Sequence, residues 1–295
     1  MQPRHLLLAM AIVVIWGLNF AVIKLGLQQV SPIALGVMRF VLAVVPWIFF
    51  VRRPTVPLWE IALYGLLIFA MQFGFLFTGM TLGVSAGLSS LILQTQVFFT
   101  IGISMVALGE RPTGWQLVGA LVAFSGILVI LSQGRSGADV TVPGLALLIA
   151  AAFSWGAGNV VAKHILQKSD SNELLGLVIW GSLFAIPPLM LTELLLEPGG
   201  LMLSISHLDW VSVGSIAYIV YLSTLFGFGV WAYLMSIYPV STVAPFTLLV
   251  PIFGFIGSAI VFGEAIEGWK IAASGLVIAG LAINLFGPRL FRRSA

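Results

Sequence analysis

GERPTGWQLVGALVAFSG (residues 109–126) and GEAIEGWKIAASGLVIAG (residues 263–280) align without a gap. Gly109, Glu110, Gly114, Trp115 and Gly126 return 154 residues later as Gly263, Glu264, Gly268, Trp269 and Gly280. Upstream, Trp16, Gly17 and Lys24 return at a spacing of 139 as Trp155, Gly156 and Lys163. The 15-residue difference fits the longer 194–208 connection in the second half. The chain therefore reads as two copies, divided here into residues 1–135 and 136–295.

Each copy is built for lipid. The 295 residues are 60% hydrophobic and only 8% charged, against about 25% charged in a soluble domain. Mean hydropathy is +1.13, and most of the chain needs a bilayer as its solvent. A spanning helix takes roughly 20 apolar residues. Cutting at polar, Gly and Pro clusters gives ten spans, at about 6–27, 32–51, 58–79, 84–107, 113–132, 143–165, 173–193, 209–236, 240–262 and 267–287. The first of them begins like a signal peptide, one Arg and then an apolar run. It continues to about Lys24, long enough to span, and is read as an uncleaved transmembrane helix. The expected fold is an all-α polytopic membrane protein.

Five spans per copy is an odd number, so the second copy enters the membrane from the opposite side. That makes an inverted-topology repeat, a plan of secondary transporters that puts the substrate near the midplane. The cations agree. With a cytoplasmic N-terminus, Arg4, Arg52, Arg53, Arg111, Lys163, Lys168, Arg289, Arg292 and Arg293 fall inside, while Lys24, Arg135 and Lys270 fall outside. This is the expected inward bias of Lys and Arg, and it predicts both termini in the cytoplasm. It also accounts for a pI near 9.5 without a nucleic-acid partner, which would need cations clustered on a soluble face.

With no cysteine, a disulfide framework is excluded, and His5, His164 and His207 lack ligand spacing. No metal site is expected. A GxxxxGK[ST] phosphate loop is missing, so ATP hydrolysis within the chain is not expected. Nor is there a Ser/His/Asp constellation for an enzyme. The acidic residues fall at span ends or in joints, so no evident proton relay lies in the membrane. Facilitated export down a gradient fits that, and no cofactor is expected.

WGLNFAVIK (16–24), MRF (38–40), AGLSSLILQTQVFFT (86–100), the GER joint (109–111), AAAFSWGAGNV (150–160), LLVP (248–251) and the second GE joint resemble the EamA branch of the drug/metabolite transporter superfamily. The likeness runs nearly end to end. It is nearest to the exporters of O-acetylserine and cysteine in bacterial inner membranes. The resemblance implies a carrier of small metabolites working by alternating access, with a cavity lined by helices 1, 3, 4, 6, 8 and 9. The family often has Pro before the aromatic pair in both repeats. Pro251 fills that place in the second repeat, but Val97 fills it in the first. A straighter fourth helix is the expectation.

Several polar and aromatic side chains inside the spans are candidates for a substrate pathway. Trp16 and Asn19 lie almost one turn apart, and Trp155 and Asn159 share a helix face. An aromatic and an amide together suit a small zwitterion, although such tryptophans also serve as packing. Gln72 adds an amide in the third span. Gln94 and Gln96 diverge by about 200° on a regular helix. We assign Gln94 to the pathway and Gln96 to a helix interface, where Ser, Thr and Gln commonly bond across helices. The eighth span carries the stripe Tyr218, Tyr221, Thr224, Phe228 and Trp231, with Tyr221 as a binding candidate and packing as the plainer role. Arg39 is the one full charge well inside a span. It needs an interface to snorkel to, water, or an anionic substrate. Glu110 and Glu264 are read as helix-start caps, and Lys24 and Lys163 as residues closing helices. The expected partners are the bilayer and a small metabolite. The rivals are a drug or sugar carrier of the same superfamily and, from another class, a lipid-modifying membrane enzyme.

Overall fold

A computed structural model describes residues 1–133, 140–168, 174–238 and 240–290. The 135/136 division, Arg135, Arg292 and Arg293 lie outside the described residues. Ten helices are long and apolar enough to cross a membrane: α1 Pro3–Gly26, α2 Pro32–Phe49, α3 Leu58–Thr81, α4 Ala86–Leu108, α5 Gly114–Gln133, α6 Val142–Gln167, α7 Leu175–Leu196, α8 Trp210–Met235, α9 Ala244–Phe262 and α10 Gly268–Gly287. The expected spans are all present, shifted by a few residues at their ends. Among the described residues there is no strand.

Local chemistry fixes the ends. Ser31 accepts a hydrogen bond from the Ala34 amide at 3.4 Å and Pro32 occupies the first turn, so α2 starts there. Asp209 accepts from the amide and hydroxyl of Ser212, each at 2.7 Å, and starts α8. Those bonds, the hydroxyl first, hold the Asp209 carboxyl below its ordinary pKa. Gly109 (φ +67°) and Gly263 (φ +65°) end α4 and α9 in the left-handed conformation. An L side chain is strained there, which is why the GE joint needs its glycine twice.

Four helices are irregular where the bundle is polar. α3 widens to a π-helix at Leu66–Met71 and α8 at Tyr218–Phe226. α9 opens with a 3-10 segment, Ala244–Leu249. α4 is interrupted at Gln94–Thr95, between Ala86–Leu93 and Gln96–Leu108. The Thr95 hydroxyl donates to the Ile92 carbonyl at 2.7 Å, and amides 94, 95, 97 and 98 all bond three residues back. Val97 in place of proline therefore does not leave α4 regular: hydroxyl back-bonding at Thr95 tightens the turn without proline.

Helices pack in matched pairs. α1 lies on α9, α6 on α4, α5 on α10 and α2 on α7. A Cβ on Gly17 would meet Phe253 at 2.4 Å, and one on Gly156 would meet Phe99 at 2.8 Å. Small residues let these backbones touch, the usual route to packing in lipid.

Candidate functional site

A cavity of about 730 Å³ lies inside the bundle. Trp16, Asn19, Gln72, Gln94, Trp155, Asn159 and Arg39 all line it, as do Phe73, Ser223, Phe228, Trp231 and Thr247. Its wall uses α1, α3, α4, α6, α8 and α9, and also α2 and α7 through Arg39, Leu177 and Val178. The cavity reaches Leu166, Leu177, Met235 and Ala244. These residues stand at the helix ends that share a side with the N-terminus, by the alternation of the spans. Towards the other side, Ala86, Leu88, Leu91 and Ile92 of α4 are fully buried.

The polar groups on the wall are organised. Asn159 Nδ2 donates to Gln96 Oε1 at 2.7 Å and lies 3.3 Å from Thr100 Oγ1. Gln94 Nε2 donates to the Thr247 carbonyl at 2.6 Å, tying α4 to the 3-10 segment of α9. Trp16 donates from Nε1 to the Ser223 carbonyl at 3.0 Å, and its ring stands 5.5 Å from Phe228 and 5.2 Å from Trp231. That carbonyl has lost its regular helical partner in the π-segment, so the irregular backbone of α8 supplies an acceptor. Asn19 is buried, and its Oδ1 has no hydrogen-bond partner.

Two expectations need correction, and one open choice narrows. Gln96 does bond across a helix interface, to Asn159 of α6, but contrary to expectation it also lines the cavity beside Gln94. The tightened turn between them removes the regular 100° step that would set them on opposite faces. Tyr221 is 47% exposed on the outside of α8 and does not line the cavity. The π-turn splits the stripe: Thr224, Phe228 and Trp231 stay inside while Tyr221 rotates out. Arg39 does not snorkel. It is 1% exposed, its Nη2 donates to Thr224 Oγ1 at 2.9 Å, and its guanidinium stacks 3.7 Å over the Phe73 ring.

The helix-start role expected of Glu110 and Glu264 is corrected: α5 and α10 begin four residues later, at Gly114 and Gly268, with no acidic residue in the first turn, and both glutamates form ion pairs instead. Lys24 Nζ meets Glu264 Oε1 at 2.6 Å, and Lys163 pairs with Glu110. Each pair links α1 or α6 to the GE joint of the other half. Ser223, Thr247 and Phe73 have no signature in the sequence, because single apolar, Ser or Thr positions in an apolar helix carry no pattern.

The chain matches the EamA-like transporter family over residues 4–132 and 142–286. It is 42% identical to a Salmonella typhimurium protein called a probable amino-acid metabolite efflux pump, over 296 residues covering 100% of this chain and 99% of that one. An Escherichia coli K12 protein of the same description is 41% identical over 290 residues, covering 98% and 97%. One crystal structure shares the fold with a TM-score of 0.64 at 17% identity, covering 100% of both chains. On the strength of the family match in both halves, the chain belongs to the EamA-like transporter family.

Proposed function

We propose that this chain exports amino-acid metabolites of the O-acetylserine and cysteine kind across a bacterial inner membrane, by alternating access between two inverted five-helix repeats. The observation that carries the reading is the cavity. Amide groups on α1, α4 and α6 and indoles on α1, α6 and α8 converge on one space of about 730 Å³ that reaches one end of the bundle. Amides bond amine and carboxylate groups, and indoles cover short carbon chains. The nearly full-length relatives described as efflux pumps support the same class of cargo.

The inverted arrangement draws support from repeated contacts. Gly17 against Phe253 and Gly156 against Phe99 join positions related by the two repeat spacings. So do the pairs Lys24–Glu264 and Lys163–Glu110. The first pair lies at the opposite end of the bundle from the second, by span alternation.

The purified chain in proteoliposomes is the test. Vesicles loaded with radiolabelled O-acetylserine, cysteine and a panel of other amino acids should release one or a few of them saturably. Release of no amino acid, with active release of sugars or cationic drugs, would overturn the cargo assignment.

A further inference from the structure

The guanidinium of Arg39 is held in the cavity wall with most of its donors unused. Nη2 gives one bond to Thr224, while Nε and Nη1 are buried and have no hydrogen-bond partner. Nε carries one hydrogen and Nη1 two, so most of the fork is free. Among the described residues, no ion pair neutralises it. Phe73 covers one face of it at 3.7 Å and Thr224 binds one end. Thr224 is itself fixed, donating its hydroxyl to the Ile219 carbonyl at 2.8 Å. Such groups are expected to be paired in an apolar setting.

A complementary acceptor lies on the same wall. Asn19 Oδ1 is a buried acceptor without a donor, and Asn19 and Arg39 both line the cavity. We propose that Arg39 is the carboxylate receptor of this transporter and that Asn19 Oδ1 takes the substrate's ammonium group. Resting on the amino-acid reading above, this adds the rule of selection: the cargo must carry a free carboxylate. A planar guanidinium fork matches a carboxylate in two parallel bonds, which Lys cannot reproduce. The Phe73 stack keeps the fork flat and oriented before substrate arrives.

The experiment uses the full chain in phosphatidylcholine vesicles, so that no anionic headgroup competes for the site. Counterflow is measured for O-acetylserine, cysteine and serine, for their methyl esters, and for simple organic anions lacking an amine. The wild type should take the free acids and discriminate against the esters by roughly 10-fold or more, the usual scale for a charged hydrogen bond. Arg39→Gln should abolish that discrimination, and Arg39→Lys should retain only part of it. Asn19→Leu should weaken the zwitterions while sparing the simple anions. Acids and esters carried equally by the wild type would overturn the proposal while leaving amino-acid export intact. Anions carried in an Arg39-dependent way, with every amino acid refused, would overturn the cargo reading and keep the anion site. Should Arg39→Gln not fold, ester discrimination by the wild type and by Arg39→Lys still decides.

Discussion

Gln96 shows how one turn changes what a residue does. It receives the Asn159 amide at 2.7 Å inside the cavity, whereas Gln94 spends its amide on the α9 backbone. Gln96→Leu and Asn159→Leu should therefore impair efflux alike, since a lost buried partner costs about 1–3 kcal/mol. The double variant should be no worse than either single one, because one bond is removed only once. Strictly additive losses, at equal membrane abundance by quantitative blot, would break the pairing. Gln94→Leu should instead lower thermal stability by loosening α4 from α9. The candidate amides and indoles were legible as polar groups stranded in apolar helices, and Arg39 as a charge whose insertion costs about 2.5–3.5 kcal/mol. Their directions were not. A helical wheel assumes a constant step, and Thr95 on α4 and the π-turn of α8 both break it. Nothing in the identity of Tyr221 signals that it faces outward.

Among the elements, the α5–α10 crossing depends on missing side chains. A Cβ on Gly280 would meet the Gly119 carbonyl at 2.4 Å, and one on Gly126 the Ala273 carbonyl at 2.8 Å. Backbone atoms cannot give way as a flexible side chain can. Gly280→Val should destabilise the protein by roughly 1–3 kcal/mol, read as a lower melting temperature in detergent. Gly275→Ala is the control, because nothing lies within 4 Å of its Cβ position. Equal melting of both variants would mean that the crossing is not tight. The joints differ in kind. Glu110 and Lys163 are each about half exposed, at 46% and 45% of their side chains, and such pairs contribute about 0–1 kcal/mol. Glu110→Gln should keep most transport. Its abolition in a stably expressed protein would instead make that carboxylate a coupling site. The glycine repeats were legible because both copies keep them. The ion pairs were not, because each joins opposite halves, as Lys24 joins Glu264 across 240 positions.

For the whole molecule, the sequence carries orientation in its cations, while the direction in which the cavity faces emerges only from folding. An even number of spans and the inward bias of Lys and Arg predict that both termini lie in the cytoplasm. The chain has no cysteine, so single-cysteine labelling has no background. An impermeant thiol reagent should reach Ser206→Cys, in the joint before α8, from outside intact cells. Arg53→Cys, in the joint before α3, should react only after permeabilisation, and the reverse result would sink the ten-span orientation. On that orientation the cavity faces inward, because its lowest lining residues, Leu166, Leu177, Met235 and Ala244, stand at cytoplasmic helix ends. The outer route is shut by the first turns of α4, where Ser89 is 0% exposed, and by the Lys24–Glu264 pair across the α9–α10 joint. Alternating access requires that this plug opens once per cycle. Ser89→Cys is a near-isosteric probe of it, and at rest it should be unreactive from outside. Adding O-acetylserine during active efflux should speed its labelling from outside, as outward-open states become populated. Leu177→Cys, on the inner wall, should become slower to react from the cytoplasmic face under the same conditions. Reciprocal changes at the two sites are what a carrier produces. A channel would label both sites from either face regardless of cargo, and that outcome would rule out the alternating mechanism.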